Sequence, residues 1–113
     1  MGYIYKAAGW GKELAGEYKD GLIYKGTGWS STCIGSYEKN WILKGHGAGV
    51  PIVGSYEKDG RIYTGYGLGV RPVGKYENGF VYAGTGFSPT EYRGAADDII
   101  GAAALLLLFQ SDS

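Results

Sequence analysis

The chain has almost none of the residues on which small catalytic and metal sites depend. It contains one cysteine, one histidine, one methionine and three prolines in 113 residues. With Cys33 alone, no intramolecular disulfide can form and a cysteine-rich zinc site is excluded. A domain that holds together without disulfides suits a reducing compartment. His46 is the sole histidine, so no histidine cluster and no Ser-His-Asp or Cys-His pairing can be read from spacing. Neither sign of charge is in excess. Eleven basic and eleven acidic residues cancel, which removes the electrostatic footprint expected of a nucleic-acid or anionic-membrane binder. The opening Met1-Gly2-Tyr3-Ile4-Tyr5-Lys6 carries no apolar signal run, and Lys6 stands where a myristoylation signal has Ser or Thr. A cytoplasmic location is expected.

What the chain has instead is glycine and tyrosine, 22 and 11 residues respectively. They are ordered in space along the sequence. Gly16, Gly35, Gly54, Gly74 and Gly94 fall at intervals of 19, 19, 20 and 20. Tyr18, Tyr37, Tyr56 and Tyr76 follow the first four of them by two residues. Then come turn segments (Lys19-Asp20-Gly21, Lys39-Asn40, Lys58-Asp59-Gly60, Asn78-Gly79), and a β-branched column, Ile4, Ile23, Ile42, Ile62 and Val81. A second aromatic column, Tyr5, Tyr24, Tyr63 and Tyr82, is broken once by Leu43. Glycine pairs such as Gly26/Gly28 and Gly45/Gly47 follow in the later copies, while the first keeps only Gly9, with Ala7 in place of its partner. Five imperfect copies result, near 1–15, 16–34, 35–53, 54–73 and 74–93.

Each copy reads as a β-hairpin. Asp-Gly and Asn-Gly favour the positive φ of tight hairpin turns, and Asn40 can tolerate the same geometry without a following glycine. The Tyr, Ile and Val flanks suit a pleated, half-buried surface. A glycine column beside a tyrosine column predicts a core of rings lying on bare backbone. The first copy lacks its leading strand. The chain therefore recuts into four strand–crossover–strand units, 3–19, 22–39, 41–58 and 61–77, with a fifth that begins at Phe80 and runs into the tail. Closure into a ring, which hides strand edges, is expected over an open stack. The predicted class is all-β with a C-terminal helix.

The repeated Gly35-Ser36-Tyr37-Glu38, Gly54-Ser55-Tyr56-Glu57 and Gly74-Lys75-Tyr76-Glu77, with the Ile-Tyr strand and the Gly-x-Gly after it, resemble the 4-fold beta flower family of uncharacterised bacterial proteins. The resemblance covers nearly the whole chain. It implies a pseudo-four-fold β arrangement and no particular activity. The Tyr-Glu and Asn-Gly elements are more weakly similar to MORN repeats.

The glycine-rich segments do not form a nucleotide loop. Gly65-Tyr66-Gly67-Leu68-Gly69 lacks the third glycine at the required spacing and a following helix. No catalytic residue, metal site or cofactor is expected. Glu38, Glu57 and Glu77, and Lys6, Lys25 and Lys44, form repeat-related sets that read as solvated faces. Cys33 reads as a small filler in a crossover loop. The ligand-binding candidates are Trp10, Trp29, His46 and Tyr66. They lie in or beside the Gly-x-Gly loops, where aromatics serve either as core or as a stacking surface.

The tail holds the one long apolar run, Ile99 to Phe109. Ser88-Pro89-Thr90-Glu91 resembles a helix start interrupted by Gly94, which places the main helix at 95–109 and a disordered tail at 110–113. Such a helix is too short to span a bilayer and is apolar on every face, so protein must cover it. Either the β domain covers it or a second copy does. Pairing into a homo-oligomer through the helix is the expectation. Function reads as a non-enzymatic binding or interaction module, with a small-ligand or glycan binder as the alternative and an enzyme as the third choice.

Overall fold

Residues with period-2 alternation of β-branched and aromatic side chains form ten strands. They are β1 (Gly2–Ala8), β2 (Gly11–Lys19), β3 (Leu22–Lys25), β4 (Thr32–Glu38), β5 (Trp41–Lys44), β6 (Ile52–Tyr56), β7 (Arg61–Thr64), β8 (Arg71–Glu77), β9 (Phe80–Ala83) and β10 (Glu91–Ala96). The structure is a computed structural model describing residues 2–8, 11–26, 31–47, 49–65, 69–84 and 91–109. Every neighbouring pair is antiparallel, and β1 pairs with β10 to close the barrel. No strand edge is left open.

Tight turns join β2 to β3, β4 to β5 and β8 to β9. Asp20-Gly21 and Asn78-Gly79 have positive φ at both central positions, as their residue types favour. In the second turn, positive φ falls on Lys39 (56°) and not on Asn40. Between β6 and β7 the chain uses a longer turn: Gly60 N–H donates to the Glu57 carbonyl at 3.0 Å, and Gly60 takes φ 100°.

The pairs β1–β2, β3–β4, β5–β6, β7–β8 and β9–β10 each slip by one residue. The unpaired residue always precedes the column glycine: Ala15, Ile34, Val53, Val73 and Arg93. The first four are not wasted, because their carbonyls accept the N–H of Gly26, Gly45, Gly65 and Gly84 at 2.7–3.1 Å. Bulges of this kind bend and twist strands, which lets short strands wrap into a closed barrel.

Alternation then fixes what faces inward. Ile4, Ile23, Ile42, Ile62 and Val81 are all fully buried. Each stands opposite a column glycine across the slipped pair: Gly16, Gly35, Gly54, Gly74 and Gly94. The last four also stand opposite a tyrosine within their hairpin: Tyr18, Tyr37, Tyr56 and Tyr76. The second aromatic column, Tyr5, Tyr24, Tyr63 and Tyr82, lies half-buried on the outer wall.

The lumen is filled by the chain's own C-terminal segment. Asp98 caps the helix α1 (Ile99–Ala104) by accepting the Ile100 N–H at 2.8 Å, and a π-helical turn, Leu105–Phe109, continues it. Five consecutive side chains of this turn reach five successive glycines. Phe109 meets Gly16, Leu108 meets Gly35, Leu107 meets Gly54, Leu106 meets Gly74 and Leu105 meets Gly94. A side chain at any of these glycines would collide with its helix partner. It would also collide with a backbone carbonyl of the next unit: Tyr24, Leu43, Tyr63, Tyr82 or Tyr5. Five spokes need roughly 72° between residues, whereas an α-helix advances about 100°, so the wider π turn suits the ring.

Several expectations are corrected. Over the column glycines the core is leucine and phenylalanine on glycine, because the inner tyrosines sit two residues beyond them, toward the turn end; tyrosine on glycine occurs there, where the Tyr18 ring lies over Gly2 and Gly101. The fifth unit does not run out into the tail: Glu91–Ala96 is a strand, and Gly94 contacts Tyr5 of the first unit. The closed ring holds ten strands in five slipped pairs. The helix starts after Asp98 and not at 95. The helix expected to pair between copies is largely covered by its own barrel: Ala102, Ala103 and Ala104 are fully buried and Leu105, Leu107 and Leu108 nearly so. Cys33 lies in β4 and not in a loop.

Candidate functional site

Antiparallel alternation gives the barrel two distinct ends. One gathers the hairpin turns and the entry of α1. The other holds the C-terminal ends of β1, β3, β5, β7 and β9. Four residues, Trp10, Trp29, His46 and Tyr66, are ligand candidates by sequence. Of them, His46 is exposed on the connection after β5, while Trp10, Trp29 and Tyr66 lie outside the described residues, as does the Ser88-Pro89-Thr90 segment. Cys33 Sγ donates to the Gly35 carbonyl at 3.4 Å. Glu38, Glu57, Glu77, Lys6, Lys25 and Lys44 are all exposed, and two of them are in ion pairs, Lys6–Glu13 at 3.9 Å and Glu77–Lys75 at 3.2 Å. Among the described residues no three His, Cys, Asp or Glu side chains converge to hold a metal, and no helix is long and apolar enough to cross a membrane.

At the turn end, inner tyrosines surround the start of α1. Tyr18 and Tyr37 meet edge to face at 5.8 Å. Tyr56 Oη donates to the Lys39 carbonyl at 2.8 Å, and Tyr76 Oη donates to the Ala96 carbonyl at 2.9 Å. Ala96 occupies the place of a fifth tyrosine. Its Cβ lies close to Gly101, so a ring there would block the helix. The Tyr18 hydroxyl is buried without a hydrogen bond. Burial first, and the Asp98 carboxylate second, raise the pKa of Tyr18 well above the usual phenol range, and the same two causes raise Tyr56 and Tyr76. A cleft of about 700 Å³ opens between the second and third turns, bordered by Lys39, Glu57, Lys58 and Asp59, with Ile99 at its base. Its charges largely cancel.

This end acts as structure, and it predicts an alkaline limit. In the unfolded chain the three phenols ionise near 10. The native chain keeps their protons beyond that point. Their contribution to stability is therefore complete below pH ~10 and is lost as pH rises past it. Thermal melts should hold steady up to that pH and fall above it. Tyrosinate absorbance should show a late group that ionises only as the fold collapses. All tyrosines titrating near 10 with the fold intact would refute this.

The outer wall is different. The residues before and after each β-branched position both face out, giving Tyr3/Tyr5, Leu22/Tyr24, Trp41/Leu43, Arg61/Tyr63 and Phe80/Tyr82. At the closure seam β10 adds Tyr92 beside Tyr82. Phe80 and Tyr92 lie 6.1 Å apart at 64°, and Tyr82 and Tyr92 lie 6.5 Å apart at 60°. These rings, with Gly11 and Lys12, line a shallow cleft of about 460 Å³. Phe80 is 43% exposed. Tyr92 Oη donates to the Gly11 carbonyl at 3.3 Å, which holds the central ring in place. Sequence reading passed over this cluster. The period-2 rule already put Phe80 and Tyr82 on one face; what it lacked was the closure that brings Tyr92 and Gly11 beside them.

No protein-family model matches the chain, and no curated protein and no solved structure matches it either.

Proposed function

We propose that this chain is a non-enzymatic binding module, a rigid barrel that presents its contact residues on the outer wall. The observation that carries the reading is the exposed three-ring cluster Phe80, Tyr82 and Tyr92. The lumen is packed with the chain's own helix, so a ligand has to be met outside. Large amphipathic rings left half-exposed on a rigid sheet are the usual material of recognition surfaces. We read the ring as five copies of one unit. The likeness to the 4-fold beta flower family rests on the repeated Gly-x-Tyr-Glu motif and not on the number of copies. The single cysteine supports a cytoplasmic placement.

A fragment-cocktail screen by heteronuclear NMR tests the proposal. Shift changes should concentrate on β9, β10 and the start of β2, around Phe80, Tyr92 and Gly11. A screen with no binder on this face, or one in which a compound is chemically turned over, would overturn it.

A further inference from the structure

The cleft at the closure seam has a chemistry that selects among ligand classes. Its three rings are inclined at 60–64° and do not stack face to face, so ring surface is left for a guest. Two ammonium groups flank it. Lys12 lines the cleft and stands 4.4 Å from the Tyr5 ring centre, and Lys75 stands 5.8 Å from that of Tyr82. Lys75 is paired with Glu77, and the neighbouring Glu13 is paired with Lys6. Lys12 has no carboxylate partner among the described residues.

A cationic ligand, which aromatic cages otherwise favour, would be repelled by these ammonium groups and would compete with Lys75 for the Tyr82 ring. A wholly apolar ligand would strip water from the Lys12 ammonium and give nothing in return. The remaining class has a flat, C–H-covered face for the rings, a hydroxylated edge for the tyrosine hydroxyl and lysine, and a negative charge for Lys12. Gly11 leaves the lip of the cleft open: a Cβ built there meets no atom within 4 Å. The size, about 460 Å³, falls in the range of small-molecule clefts.

We propose that the Phe80–Tyr82–Tyr92 cleft is a saccharide subsite that takes an acidic oligosaccharide, its sugar faces on the rings and a carboxylate at Lys12. This rests on the binding-module reading above and narrows it to one ligand class.

The test is a titration of the full chain with trigalacturonate and, as the neutral comparator, cellotriose, followed by NMR and calorimetry. Trigalacturonate should bind with shifts centred on Phe80, Tyr82 and Tyr92, and weaken as salt is raised. Tyr82→Ala should lose at least tenfold in affinity. Lys12→Met should bring trigalacturonate down to the level of cellotriose and abolish its salt dependence. Gly11→Val fills the open lip without touching the packing. It should abolish binding with an unchanged melting temperature, which separates a blocked site from a damaged fold. Equal binding of the two trisaccharides would overturn the acidic assignment. Failure of both, with fragments still mapping to the cleft, would overturn the saccharide inference and leave the binding module standing. Failure of both together with an empty fragment screen would remove the module reading as well.

Discussion

A chain ending at Asp97 should not fold. Removing α1 and the π turn takes away Leu105, Leu107 and Leu108, each at most 5% exposed, along with three fully buried alanines. Full burial of a leucine contributes about 1.5–3 kcal/mol, so the three leucines alone are worth roughly 5–9 kcal/mol. Whole domains are stable by only about 5–15 kcal/mol. The loss also exposes what remains. The five β-branched residues of the inner ring would face an empty lumen lined by glycine, which has no side chain with which to collapse inward. Circular dichroism should show no cooperative melt, and light scattering should show aggregation. If the helix served instead to pair two copies, the same truncation would yield a folded monomer. A truncated chain that is monomeric and melts within a few degrees of the parent would therefore overturn the account of the lumen.

The repeat was legible because its signals are local. Turn residues, a β-branched position and alternating aromatics recur in one register, and hairpins follow from them. The filling of the lumen was not legible in the same way. Gly54 looks like a seat for a tyrosine because tyrosines are its neighbours in sequence, yet its occupant is Leu107, more than fifty residues away. Nothing near Gly54 encodes that contact. It appears only once the ring has closed and the tail has turned into it. The same tertiary effect moved the helix start. Ser88-Pro89-Thr90-Glu91 has the form of a cap, but the chain from Glu91 to Ala96 is claimed by pairing with β9 and β1, and Asp98 becomes the cap instead. A related effect completes the first unit. The missing leading strand of the first copy is supplied by β10, from the far end of the chain. In the candidate site, Phe80 and Tyr82 follow from alternation alone, whereas Tyr92, Gly11 and Lys12 join them through strands that only closure makes neighbours.

The pairing of glycines with helix residues is specific enough to be tested by a double-mutant cycle. Gly54→Ala places a Cβ against the Tyr63 carbonyl and 2.6 Å from Leu107 Cδ1. Overpacking costs about 1–3 kcal/mol, and a backbone carbonyl yields less than a side chain, so a loss near ~3 kcal/mol is expected. At about 4–8 °C per kcal/mol for a domain of this scale, the melting temperature should fall by roughly 12–24 °C. Leu107→Ala alone leaves a cavity and should cost about 2–5 kcal/mol. Combined, the two should cost less than their sum by ~1 kcal/mol or more, because the new methyl enters space that Leu107 has vacated. The relief should stay partial, since the Tyr63 carbonyl remains in the way. Leu107→Val, which also lacks the δ carbons, provides the same cycle at a smaller loss if the alanine variant is too unstable to measure. Two controls fix the register. Gly69→Ala, where an added Cβ meets nothing within 4 Å, should change stability by no more than ~0.5 kcal/mol. Gly54→Ala combined with Leu105→Ala should be additive, because Leu105 faces Gly94 across the lumen and not Gly54. Equal coupling of Gly54 to Leu105 and to Leu107, or none to either, would mean that the five side chains do not each serve one glycine.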